Sequence, residues 1–115
     1  LYAELGKLYV SAGQAEKARE NLEKAVDIKS DYLDIEALFQ LGRLYFNDNQ
    51  VPEAIQLFKN IVILFPDHSN AHYSLGVAYA AQGQKNLAIA EFEKVLELNP
   101  GSEDVIEKIS SLRGY

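Results

Sequence analysis

Cysteine is absent from the 115 residues, and so are methionine and tryptophan. Without cysteine there is no disulfide framework and no thiolate chemistry, and the composition suits a reducing compartment, so a cytoplasmic location is favoured. Proline occurs only three times, and β-branched residues are scattered rather than clustered, which leans towards helix. No basic cluster exists: eleven Lys and Arg are dispersed among seventeen Asp and Glu, for a net charge of −6. Phosphate neutralisation needs clustered cations, so nucleic acid is excluded as an expected partner. The strongly apolar run Ile61–Phe65 is far short of the ~20 residues of a membrane span, so direct membrane insertion is not expected. Nor does anything resemble a signal peptide. The chain opens inside an apolar helical pattern without an initiating methionine, so it is expected to be part of a longer protein.

What is present is a repeat. Leu-Gly recurs at Leu5-Gly6, Leu41-Gly42 and Leu75-Gly76, with glycine spacings of 36 and 34. Three residues past each glycine stands a tyrosine (Tyr9, Tyr45, Tyr79), and twelve past it an alanine (Ala18, Ala54, Ala88). Sixteen past it comes Leu22, Phe58 or Phe92, followed by Ala25, Ile61 or Val95. Twenty-four past it stand Ser30, Pro66 and Pro100.

These offsets have physical causes. Apolar residues recur at steps of three and four, the period of one helix face. In the third unit Ala71, His72, Leu75, Ala78 and Tyr79 make one stripe, and Ala88, Ile89, Phe92, Val95, Leu96 and Leu98 the next. Between stripes lie Gly13, Asn49 and Gly83, each followed by glutamine. Gly and Asn accept the left-handed conformation that ends a helix, so each marks a tight turn between antiparallel helices. The glycine after leucine and the alanine of the second helix let two helix backbones approach closely. Pro66 and Pro100 stop the second helices of their units. Ser69 and Ser102 are expected to cap the helices that follow.

Leu-Gly, Tyr, Ala, Phe and Pro at these offsets resemble the tetratricopeptide repeat over nearly the whole chain. The resemblance implies an all-α fold: a right-handed α-solenoid of three helical hairpins plus a C-terminal capping helix, seven helices in all. The expected units are repeat 1 at 1–32, with a longer junction to 34, repeat 2 at 35–68, repeat 3 at 69–102, and the capping helix at 103–115. The departures are Leu38 and His72 where an aromatic residue is frequent, Ser30 for the first proline, and two extra residues around Tyr32 to Asp34. In the last segment Val105, Ile106, Ile109 and Leu112 share one face with no second helix to follow, as a cap needs. No such cap precedes the first unit, which fits further repeats upstream.

Catalytic and metal constellations reduce to ordinary helix chemistry. His68 and His72 lie four apart, a spacing that binds zinc on a helix, but no third ligand accompanies them, so both read as structural. Glu91, Glu93 and Glu97 stand among Lys85 and Lys94 as on a solvated helix face. There is no Gly-rich phosphate loop, nucleophile elbow or metal-ligand spacing, so no enzyme, no cofactor and no metal is expected.

By resemblance, first helices line a concave groove in which a protein or peptide partner lies. The contact residues this implies are Lys7, Phe39, Gln40, Arg43, Phe46, Asn70, Tyr73 and Val77. Phe39, Phe46, Tyr73 and Val77 are apolar where a purely solvating face is polar, and aromatics with arginine are typical of binding hot spots. The plainer reading packs these rings on neighbouring helices and leaves Lys7 and Arg43 in water. Clamping of a chaperone C-terminal carboxylate is not expected, because of the matching positions Ala3, Lys7, Gln40, Asn70 and Ser74 only Lys7 is basic. Ile63 and Phe65 stand where the other units have Asp27, Lys29, Glu97 and Asn99. Either the junction at Tyr32 and Leu33 covers them, the favoured reading, or they form a patch for self-association. The leading expectation is therefore a non-catalytic protein–protein interaction scaffold. The rival is a self-assembly module (a homo-oligomer), and a weaker third is a regulatory arm of a catalytic domain elsewhere.

Overall fold

The computed structural model describes residues 35–114, together with Gly6, Gln14, Glu16, Lys17, Glu20, Asn21 and Glu23. Five helices are bounded: α1 (Ile35–Asn47), α2 (Val51–Leu64), α3 (Ser69–Ala81), α4 (Lys85–Leu98) and α5 (Glu103–Arg113). Among the described residues helix is the only regular structure, as an all-α fold requires. The seven-helix array of three hairpins plus a cap is not what they show, and that expectation is corrected to five helices. It projected the 34-residue period to both ends of the chain. At the first unit the projection meets the longer junction and a serine where proline ends the other units. There, Gly6, Glu16, Lys17, Glu20, Asn21 and Glu23 are helical. The chain divides into two compact units, 1–57 and 58–115, each taken by itself below.

In the first unit Ala37 and Leu41 are buried, with Leu44, Tyr45 and Leu57 packed against them. Leu57 is the contribution of α2 to this cluster. Gly42 and Ala54 are also buried, as the repeat offsets demand.

In the second unit α3 packs on α4, and α4 on α5. The core holds Leu75, Ala78, Ala88, Phe92 and Val95, with Val105 and Ile109 from α5. Gly76 explains the closeness of α3 and α4. A Cβ there would lie 2.7 Å from Phe92 Cε1 and 2.9 Å from Cδ1, inside contact distance. Glycine is thus the residue that admits the ring.

The hairpin turns repeat atom for atom. Asn49 (φ 65°) and Gly83 (φ 77°) adopt the left-handed conformation expected of them. Gln50 N–H donates to Tyr45 O (2.8 Å) and Asn49 N–H to Phe46 O (3.1 Å). Gln84 N–H donates to Tyr79 O (3.0 Å) and Gly83 N–H to Ala80 O (3.0 Å). This is the six-to-one and five-to-two pairing of a Schellman cap, so the repeat tyrosines supply the terminal carbonyl acceptors. Gly13 lies outside the described residues. At the α3 start the expected cap is displaced by one residue: His68 is the N-cap, its Nδ1 accepting from Ala71 N–H at 3.0 Å, and Ser69 is the first helical residue. An imidazole acceptor satisfies the same orphan donor that a serine hydroxyl would. Ser102 is the N-cap of α5, though its side chain makes no capping bond.

Candidate functional site

Phe39, Gln40, Arg43 and Phe46 occupy steps of one, three and three on α1, which places them along one side of that helix. Phe39, Gln40 and Phe46 are half-buried, and Arg43 is exposed. A ladder that the sequence reading missed runs along this side. Gln40 Nε2 donates to Glu36 Oε1 (2.8 Å), and Arg43 Nη1 reaches Gln40 Oε1 at 3.5 Å. The i,i+4 and i,i+3 spacings were its signal. At 3.5 Å the second bond is weak, so the Arg43 guanidinium is held loosely and its charge faces water. Lys7 lies outside the described residues.

On α3, Asn70, Tyr73 and Val77 fall at steps of three and four. Asn70 is exposed, while Tyr73 and Val77 are half-buried. Tyr73 is more tightly engaged than its sequence position suggested. Its hydroxyl donates to Asp104 Oδ2 at 2.7 Å, and its ring meets Phe92 edge-on at a centroid distance of 5.8 Å. Lys108 Nζ stands 5.8 Å from the same ring and 3.9 Å from Asp104 Oδ1. Burial, then the hydrogen bond to Asp104, raises the Tyr73 phenol above its usual range, with Lys108 working in the opposite sense. Thus α5 takes part in the surface around Tyr73. Nothing local announced this, because Tyr73 and Asp104 are 31 residues apart.

The two histidines are spent structurally. His68 caps α3. His72 is buried, with Nδ1 2.6 Å from Glu91 Oε2 and Nε2 2.7 Å from the carbonyl oxygen of Pro66. Tyr79 is buried as well, and its phenol is raised first by burial and then by the negative charge of Glu91.

Ile63, on α2, and Phe65, just past it, are 72% and 48% exposed, and Leu64 between them is 53% exposed. An open concavity of about 390 Å³, lined by Leu64, Phe65, Pro66, Asp67 and His68, adjoins them. Covering by the junction was the favoured reading. The structure leaves both side chains open, and Tyr32 and Leu33 lie outside the described residues. No helix among the described residues is long and apolar enough to cross a membrane.

The fold is shared with known proteins. Family models described as Tetratricopeptide repeat match residues 39–103 and 9–62. The chain is 30% identical over 97 residues to human protein O-mannosyl-transferase TMTC2, a match spanning 84% of this chain and 12% of that protein. The crystal structure of MamA superposes with a TM-score of 0.88 at 28% identity, covering 96% of this chain and 64% of that one. The first TPR of Spaghetti (RPAP3), bound to the HSP90 peptide SRMEEVD, superposes at 0.86 over 97% of this chain and 87% of that one. At 21% identity, that last likeness concerns the fold alone.

Proposed function

Because the chain belongs to the tetratricopeptide repeat family, we propose that it is a non-catalytic scaffold that holds a peptide or protein segment against its first helices. One observation carries the assignment of positions. Off the packed stripes, α1 keeps Phe39 and Phe46 half-buried along with the exposed Arg43, and α3 keeps Tyr73 and Val77 half-buried along with the exposed Asn70. A half-buried ring retains apolar area to lose to a ligand at about 25 cal/mol per Å² and is already ordered, so little side-chain entropy remains to be lost. Gln40 completes this set, and Lys7 joins it as the position equivalent to Arg43. The test is a selection of binders from a displayed random-peptide library. Phe39→Ala with Arg43→Glu, and separately Val77→Glu, are expected to weaken the selected peptides at least tenfold, while Ile63→Glu leaves them unchanged. If binding survives both sets of changes, the face is wrongly assigned.

Self-association through Ile63 and Phe65 is the second reading, favoured by their exposure. A stable interface uses about 20–30 residues a side, so three adjacent side chains support only a weak contact. Light scattering over a concentration series settles the matter: a particle mass that grows for the wild type and not for Ile63→Glu/Phe65→Glu supports it, and a monomer throughout removes it. Set within a longer enzyme, as the mannosyl-transferase relative suggests, such a scaffold leaves the chemistry to residues outside these 115.

A further inference from the structure

We propose that His72 and Glu91 form a proton-retaining clamp, in which one proton beyond those of a neutral imidazole and an ionised carboxylate fastens the Pro66 turn to the α3–α4 hairpin. Both ring nitrogens of His72 lie at hydrogen-bond distance from oxygens, Nδ1 2.6 Å from Glu91 Oε2 and Nε2 2.7 Å from Pro66 O. A backbone carbonyl only accepts, and so does an ionised carboxylate. A neutral imidazole donates from one nitrogen only. With that ring and an ionised Glu91, one of the two contacts would set lone pair against lone pair inside 2.8 Å. Turning the ring over replaces nitrogen by carbon at both places and loses both bonds. Two arrangements satisfy the geometry: an imidazolium donating twice to a carboxylate and a carbonyl, or a protonated Glu91 donating to Nδ1 while Nε2–H donates to Pro66. Their proton count is the same.

The surroundings make the count matter. The His72 side chain is 9% exposed and that of Glu91 22%, so water cannot easily substitute for a missing donor at the ring. No buried side-chain nitrogen or oxygen among the described residues lacks a partner, so the network is complete as it stands. Of the titratable groups, Glu91 on α4 contacts the ring, Tyr79 on α3 feels the charge of Glu91, and Asp67 and His68 follow Pro66 in the turn. Tyr79 stays neutral beside Glu91, and His68 Nδ1 is occupied by Ala71 N–H. Neither supplies the missing hydrogen. The bond to Pro66 joins the segment before α3 to the ring, and the bond to Glu91 joins the ring to α4. Losing the proton opens one of these ties, and Glu91, the more exposed partner, is the one free to swing into water.

Nuclear magnetic resonance of the labelled chain at neutral pH reads the proton directly. Expected are two protonated ring nitrogens on His72, or one bare nitrogen together with the carboxyl-carbon signal of a neutral Glu91. A bare nitrogen beside an ionised Glu91 overturns the proposal. Glu91→Gln offers an amide donor to Nδ1, so its ring is expected to carry a single proton while the turn stays fastened. Amide exchange at His68, whose N–H donates to Phe65 O at 3.0 Å, reads the turn. Exchange should stay near the wild-type rate in Glu91→Gln and quicken roughly tenfold in Glu91→Leu. Equal rates in all three chains also overturn the clamp.

Discussion

Replacing Gly76 by alanine tests the helix-to-helix approach on which the α3–α4 hairpin depends. Two effects of opposite sign compete. Alanine is better than glycine in a helix by about 1 kcal/mol. Against this, the new methyl carbon would stand 2.7, 2.9 and 3.0 Å from Phe92 Cε1, Cδ1 and Cζ. The ring is 1% exposed and has Tyr73 edge-on against it, so it has nowhere cheap to go. Overpacking of this kind costs about 1–3 kcal/mol, so the net effect is destabilisation of about 1 kcal/mol, a few degrees in melting temperature for a chain this size. Gly101, with nothing within 4 Å of a built Cβ, is the control: Gly101→Ala should be neutral or slightly stabilising. Urea unfolding followed by circular dichroism measures both. Adding Phe92→Leu to Gly76→Ala should cost less than the two single changes summed, because the smaller side chain makes room. A Gly76→Ala chain as stable as the wild type, or a strictly additive double mutant, refutes the close-approach account.

Three further outcomes follow from other parts of the structure. Asn49→Val forces a β-branched residue to φ 65° and should cost about 1–2 kcal/mol by the same unfolding assay, whereas Asn49→Gly should be near neutral. The Tyr73 and Tyr79 phenols are both raised on folding, so their contribution is whole below the unfolded value of about 10 and is lost as pH climbs towards their folded values. Stability should therefore fall on the alkaline side, with phenolate absorbance appearing late; tyrosines that titrate as in the unfolded chain contradict it. The peptide SRMEEVD should show no saturable binding by calorimetry, since of Ala3, Lys7, Gln40, Asn70 and Ser74 only Lys7 offers a cation to its carboxylates.

Much of the hairpin architecture was legible because it is local. Leu-Gly, the alanine twelve residues on and the aromatic sixteen on all turn out to be buried in the described units, and Asn49 and Gly83 hold the left-handed turns. The helix count was not legible: the period projects seven helices, whereas the described residues bound five. Ser69 was read as a cap because serine is the commoner residue there, whereas His68, one residue earlier, offers an equally good acceptor. The proposed contact positions on α1 and on α3 rest on helical spacing alone, yet the grip of Asp104 and Lys108 on Tyr73, and of Glu91 on His72, joins residues 19 to 35 apart. Such pairs leave no mark in a single sequence.

Chemical-shift mapping of a library-selected peptide onto the labelled chain tests the scaffold assignment most directly. The account predicts that the saturating shifts gather on Phe39, Gln40, Arg43 and Phe46 of α1 and on Asn70, Tyr73 and Val77 of α3. Shifts confined to Ile63–Phe65, or spread over the outward residues of α2 and α4 with α1 and α3 silent, would contradict it.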